Sequence, residues 1–246
     1  MLRMYKSDSC TRICLWSGPR NVSTAMMYSF AQRKDTVVYD EPFYGYYLHE
    51  SKAKTYHPGA EEIMKTLPVD YSKVVDLIMG KHEKRVVFFK NMTHHLLDDD
   101  ISFTKCTKNI ILVRNPVDML PSFDKVISNP SLNDVGYKSS LELLNRFKQN
   151  KSHVVVLDSK NLLMNPQQIL IELCESLEIN FETSMLQWEK GPIEEDGVWA
   201  KYWYRNVHQS KGFKPYPKTK SNFLIHLNQL LDQCVPYYNE LMKFSI

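Results

Sequence analysis

Five short runs rich in apolar and β-branched residues, Arg12–Ser17, Thr36–Tyr39, Arg85–Lys90, Asn109–Val113 and His153–Leu157, alternate with segments whose apolar residues recur at i, i+3 and i+4. Runs that are apolar throughout suit strands covered on both faces. Helical segments between such strands serve as crossovers, which makes the strands parallel neighbours in one sheet. The expected fold class is therefore α/β: a three-layer sandwich with a central parallel sheet of about five strands. Helices are predicted over Val22–Arg33, Ala60–Met79 with a break near Pro68, Pro116–Ile127, Val135–Asn150 and Pro166–Leu177. No strand is predicted after Asn180. An aromatic-rich segment runs to about Lys220 and is followed by an amphipathic helix, Phe223–Phe244, with a predicted break at Pro236.

The chain has 246 residues, enough to bury a real core without disulfides or metals, and neither repeats nor linkers divide it, so residues 1–246 read as a single domain. Its 31 Lys and Arg exceed its 28 Asp and Glu by only three, far from the basic excess of a nucleic-acid binder. Five scattered cysteines, an odd number, suit free thiols in a reducing compartment. Cys10 and Cys14 lack a second Cys or His pair nearby, so no structural metal is expected. Met1 to Arg12 is polar and no stretch approaches the roughly 20 apolar residues of a membrane span. A soluble, cytoplasmic protein is the expectation.

The segment from Ile13 to Met26 combines a buried strand, a Gly18-Pro19 turn and a helix whose first turn holds Ser23 and Thr24. Free backbone N–H groups, hydroxyls and the helix dipole then converge where an anion is favoured, which makes a phosphate cradle. A nucleoside-triphosphatase loop requires G-x-x-x-x-G-K-[ST]; here the second glycine and the lysine are missing, and the cation is Arg20. A second element repeats the logic. The Asn109–Val113 run ends at Arg114, and Ser122 follows eight residues later on the next helix, an Arg fork and a hydroxyl suited to a phosphomonoester.

Together these residues resemble the PAPS-dependent sulfotransferase family, and the wording Trp16-Ser17-Gly18-Pro19-Arg20-Asn21-Val22-Ser23-Thr24 is most similar to its bacterial-type members. The resemblance implies a P-loop nucleotide-binding, sulfotransferase-like fold and 3′-phosphoadenosine 5′-phosphosulfate (PAPS) as donor co-substrate. Arg20, Asn21, Val22, Ser23 and Thr24 stand where the family's 5′-phosphosulfate loop lies, and Arg114 and Ser122 match its 3′-phosphate pair. Val22 replaces the loop's usual glycine and Asn21 its serine. Val155–Pro166 is similar to the family's fifth strand and the turn after it, and Lys211 and Gly212 to the late basic-Gly loop over the 3′-phosphate.

Sulfuryl transfer needs positioning, cationic stabilisation and a base for the acceptor, without an obligatory metal. Arg20 and Lys90 are the cations expected on the transferring group. Glu41, in Asp40-Glu41-Pro42, leads as base by the resemblance, with Asp40 as its structural companion; Phe43, Tyr44, Tyr46 and Tyr47 would raise its pKa by desolvation. The rivals are His94 and His95, four and five residues after Lys90. His94 and His95 with Asp98-Asp99-Asp100 also allow a metal reading, against which three consecutive aspartates read more simply as a solvated turn. Trp188, Trp199, Trp203, Tyr202 and Tyr204 supply aromatic faces for a small-molecule acceptor with a hydroxyl or amine, or simply pack onto the core. Two other readings stay open: a magnesium-dependent nucleotide kinase or triphosphatase using Asp158, and a non-catalytic phosphoadenosine-binding relative.

Overall fold

The computed structural model describes residues 10–97, 100–216 and 223–246. Five strands, β1 (Thr11–Ser17), β2 (Thr36–Asp40), β3 (Val86–Met92), β4 (Lys108–Val113) and β5 (His153–Asp158), form one all-parallel sheet in the order β2-β3-β1-β4-β5. The predicted strands sit at these places, with ends moved by one or two residues.

Alternate residues of each strand enter opposite layers, because successive side chains of a strand point to opposite faces. Ile13 and Leu15 of β1 join Val38, Phe88, Ile110 and Leu157 under α1 (Ser23–Ala31), α2 (Tyr44–Glu50), α3 (Ala60–Thr66), α8 (Ser159–Met164) and α9 (Pro166–Ser176). Cys14 and Trp16 join Val87, Phe89, Ile111 and Val156 under α4 (Tyr71–Met79), α5 (Pro116–Asp124), α7 (Tyr137–Gln149) and α12 (Asn228–Met242). Two helical layers thus cover a sheet apolar on both sides, as the uninterrupted apolar runs require. A polar group buried beside Trp16 is satisfied internally: Trp16 Nε1 donates to Asn109 Oδ1 at 3.2 Å, and Asn109 Nδ2 donates to the carbonyl oxygens of Thr104, Thr107 and His153.

Three helices depart from expectation. The predicted Val135–Asn150 helix begins two residues later, as α7, because Gly136, whose φ of 76° no continuous α-helix accepts, separates it from a short helix that was not expected, α6 (Leu132–Val135). The helix predicted to break at Pro236 runs through it, because buried Leu230, Cys234 and Leu241 anchor both sides and outweigh one lost backbone hydrogen bond. The helix α2 was not predicted; its Tyr44-Gly45-Tyr46-Tyr47 start lacks a clear apolar period, and Gly45 is there because a Cβ would lie 2.8 Å from the Pro68 carbonyl oxygen. No helix among the described residues is long and apolar enough to cross a membrane.

Strand order reverses at β1, which pairs with β3 on one side and β4 on the other. In an open α/β sheet that reversal opens a crevice at the carboxyl ends of the strands. Residues Gly18–Val22, Arg114 and Lys90 all follow or end strands at that edge.

Candidate active site

A cavity of about 1130 Å³ occupies this crevice. Its walls include Arg20, Asn21, Val22, Ser23, Thr24, Arg114 and Ser122, together with Glu41, Lys90, His94 and His95.

The loop after β1 is set by a close backbone approach. A Cβ on Gly18 would lie 2.5 Å from the Val135 carbonyl oxygen, and one on Gly136 would lie 3.0 Å from Gly18 Cα. Gly18→Ala must push the loop away from the α6–α7 junction, and overpacking of this kind costs about 1–3 kcal/mol. The expected result is a melting temperature lower by several degrees; a thermal melt superimposed on the parent's would show that the junction yields freely. Beyond the turn, Arg20 and Val22 take left-handed backbone with φ of 61° and 63°, strained for a β-branched residue. Val22 therefore keeps the conformation glycine favours. It begins α1 without a side-chain cap, so the first-turn amides are left for a ligand or water.

Arg20 and Arg114 come together at the foot of this loop. Arg20 Nε donates to Ser122 Oγ at 3.2 Å, and Arg114 Nη1 donates to the Arg20 carbonyl oxygen at 3.0 Å. The Tyr137 hydroxyl holds the Arg114 carbonyl at 2.8 Å. Among the described residues neither guanidinium is ion-paired, and Arg114 Nε and Asn21 Oδ1 are buried without a hydrogen-bond partner. Burial, and then the charge of Arg114, pull the Arg20 pKa down from its ordinary value. Two half-desolvated like charges with an unused N–H are a site built for an oxyanion.

The other wall holds a buried ion cluster. Lys90 Nζ donates to Asp40 Oδ1 at 2.9 Å, to Tyr204 Oη at 2.6 Å and to Glu41 Oε1 in a very short contact. The lysine side chain is 2% exposed, Asp40 1% and Glu41 9%. Burial raises the Glu41 pKa, opposed by the charge of Lys90 and reinforced by that of Asp40. The Lys90 pKa is also raised: burial acts to lower it, and the charges of Asp40 and Glu41 outweigh that. Glu41 itself has left-handed backbone, φ 45°, a strained conformation of the kind found at functional sites.

His95 is stacked on both Tyr44 and Tyr47 at 4.7 Å, with Nδ1 3.8 Å from Glu41 Oε2. Burial depresses its pKa well below the usual value, helped by the charges of His94, His57 and Lys90. His94 is pushed down to about 4, chiefly by burial. Both imidazoles are thus neutral near pH 7, and the Nδ1 atoms of both are buried without a hydrogen-bond partner.

Other sequence-derived candidates are dispersed. Gly212 lines the cavity, but Lys211 is exposed in an adjoining hollow of about 750 Å³, and Lys214 rather than Lys211 reaches the main cavity wall. Asp158 does not line the cavity; its carboxylate caps α8, accepting from Lys160 N at 3.0 Å. Trp203 and Tyr204 do line it, whereas Trp188 and Trp199 are core residues. Asp98 and Asp99 of the aspartate run lie outside the described residues, and no group of three metal-ligating side chains occurs among those described. Sequence reasoning missed His57, whose Nδ1 lies 2.7 Å from the Tyr44 hydroxyl, and Asp134 on the cavity wall. It also missed Tyr204 as a partner of Asp40, since nothing local links residues 164 positions apart.

A family model described as Sulfotransferase domain matches residues 11–245. Over 228 residues the chain is 38% identical to branched-chain-amino-acid aminotransferase-like protein 2 of Arabidopsis thaliana, covering 92% of this chain and 40% of that protein. The chain thus spans less than half the length of that relative. Among solved structures, the sulfotransferase domain from the Synechococcus PCC 7002 olefin synthase matches with TM-score 0.57 at 16% identity, covering 95% of this chain and 98% of that one. A sulfotransferase from Alicyclobacillus acidocaldarius matches with TM-score 0.53 at 12% identity over 95% and 94% of the two chains. At these identities the structural likeness establishes the fold: a central five-stranded parallel sheet flanked by helices.

Proposed function

Because the chain belongs to the Sulfotransferase domain family, we propose that its cavity transfers a sulfuryl group from PAPS to a hydroxyl or amine of a small-molecule acceptor. The observation that carries this reading is the pair of guanidiniums, Arg20 and Arg114, facing one cavity without counter-ions among the described residues, beside a buried acid and lysine.

The residues fit the donor's charges. Arg114, with its buried unpartnered Nε, and Ser122 are the proposed holders of the 3′-phosphate, with Lys211, Lys214 and Gly212 nearby on the late loop. Arg20 and the loop from Asn21 to Thr24 are the proposed cradle of the 5′-phosphosulfate, through the guanidinium, hydroxyls and uncapped amides. The donor supplies an activated sulfuryl group. The chain supplies a proton acceptor and cations, because negative charge grows on the bridging and equatorial oxygens as the group moves.

Glu41 is the proposed base. Asp40, Glu41 and Lys90 together carry one negative charge in excess, and burial makes that excess costly, so the cluster favours taking a proton. Glu41 is the member on the cavity wall. As it accepts the acceptor's proton, the acceptor oxygen forms the new O–S bond. The bond from sulfur to the 5′-phosphate oxygen breaks, and its electron pair stays on that oxygen. Arg20 and Lys90 are the proposed stabilising cations. His94 and His95, both neutral, the first edge-on to Tyr47 and the second stacked on Tyr44 and Tyr47, fit better as walls of the acceptor region, where their unpartnered Nδ1 atoms can meet an acceptor polar group.

Thermal-shift titration tests the reading with adenosine 3′,5′-bisphosphate, AMP, and ATP with and without Mg²⁺. A ligand at about 100 times its Kd adds about 2.7 kcal/mol, a rise of several degrees for a chain of this size. A rise with the bisphosphate and none with AMP is expected. A rise only with ATP and Mg²⁺ would move the chain to nucleotide kinase chemistry, and bisphosphate binding without transfer to any acceptor would leave a non-catalytic relative.

A further inference from the structure

An ammonium has three N–H donors and no acceptor, and Lys90 uses all three inside the protein, on Asp40, Glu41 and Tyr204. The Tyr204 hydroxyl is equally full: it accepts from Lys90 and from Trp199 Nε1 at 3.1 Å and donates to Asp40. Asp40 Oδ2 also accepts from Gly197 N at 3.1 Å, so Asp40 and Tyr204 are fixed by partners that have no reason to change during a reaction. Glu41 differs. Its Oε1 binds Lys90, the Tyr204 hydroxyl acts on the carboxyl as a further hydrogen-bonding neighbour, and Oε2 stands 3.8 Å from His95 Nδ1, beyond hydrogen-bond distance. In this arrangement Lys90 has no N–H to offer a group in the cavity, and the only clamp open to change is the one that itself takes a proton.

We propose that Asp40 and Tyr204 are positioning residues that hold Lys90 while Glu41 acts as a proton-operated clamp, so that protonation of Glu41 frees one Lys90 N–H for an oxyanion in the cavity. A neutral carboxylic acid holds an ammonium far more weakly than a carboxylate does. Cation delivery is thereby tied to proton abstraction: the acceptor's proton arrives at Glu41 and the lysine turns to the sulfuryl oxygens as their charge grows. Before an acceptor is present, the lysine stays locked and the donor is spared attack by water. The inference rests on the proposed sulfuryl-transfer reading for its purpose, but its physical content is a proton-linked anion site that exists with or without PAPS.

The groups that face Glu41 are Asp40 from β2, Lys90 from β3, Tyr44 from α2, His95 after β3 and Tyr204 between the short helices α10 (Ala200–Trp203) and α11 (Arg205–His208). Burial pushes His94 down to about 4 and depresses His95 well below its ordinary value, so neither takes a proton where Glu41, whose pKa burial raises, is expected to.

The probe is inorganic sulfate, titrated by thermal shift at pH 8, 6.5 and 5 into the full chain without nucleotide. For the parent, the apparent sulfate Kd should tighten several-fold as pH falls, because protonation releases Lys90. Glu41→Gln, neutral at every pH, should lose that slope, and its isosteric side chain protects folding. Tyr204→Phe leaves Lys90 one acceptor short at all pH values, so sulfate should already bind more tightly at pH 8 and the slope should shrink. A purely structural role for Tyr204 would lower the melting temperature and leave the slope as in the parent. A parent whose sulfate affinity is flat with pH, or a Glu41→Gln variant that keeps the parent's slope, overturns the clamp. Neither result bears on bisphosphate recognition, which fails or survives in its own titration.

Discussion

Arg114→Ala weakens binding of adenosine 3′,5′-bisphosphate by between ten- and a few hundred-fold in isothermal titration while leaving the free protein at least as stable as before. The first half follows from losing charge-assisted hydrogen bonds to a phosphate, worth about 1.5–3 kcal/mol. The second half follows from the free site. Arg114 stands beside Arg20 with its Nε buried and unpartnered, and its charge disfavours the neighbouring guanidinium. Removing one of two like charges relieves that repulsion, against the loss of a single hydrogen bond to the Arg20 carbonyl. A site tuned for an absent anion is expected to be costly when empty. Arg114→Lys keeps the charge but not the planar fork, so it should recover only part of the affinity. If affinity is unchanged in Arg114→Ala, the 3′-phosphate is held elsewhere. If stability falls sharply, Arg114 is a structural residue and the empty-site argument is wrong.

The sheet and the loop after β1 were legible because their signals are local. A strand buried on both faces needs an apolar run, and a tight turn into a helix needs Gly18 and small hydroxyl residues within a dozen positions. The Arg114–Ser122 spacing was legible for the same reason, being one strand end and two turns of one helix. The Glu41–Lys90 pairing was half legible: each residue ends or follows a strand, but only the placement of β2 beside β3 brings Asp40 opposite Lys90. Tyr204 was not legible at all. Its segment is rich in aromatics that serve both core and cavity, and no periodicity separates Trp199, which is buried, from Trp203, which reaches the cavity wall. The unbroken helix through Pro236 failed for a related reason, since packing on both sides of the proline overrides a local propensity.

Glu41→Gln is expected to slow sulfuryl transfer by roughly 10²–10⁴, the usual contribution of a positioned base, with bisphosphate binding not weakened because Arg20 and Arg114 are untouched. The pH dependence identifies the base. Burial raises the Glu41 pKa above its ordinary 4.5, so transfer by the parent should fall as pH drops through that raised value. Were His94 the base, the acid limb would instead sit near 4, where burial has pushed its pKa. Stability should report the same group with the opposite sense from a paired surface carboxylate. Between 4.5 and the raised value the folded chain binds more protons than the unfolded chain, so through Glu41 stability declines as pH rises across that window and is spared below it. Glu41→Gln removes this decline, flattening the acid side of the Tm–pH curve while abolishing the acid limb of the rate profile. The two curves must change together if one proton on one carboxyl governs both. Loss of rate with an unaltered Tm–pH curve would separate the catalytic group from the buried cluster, and an unaltered rate would pass the role of base to His94 or His95.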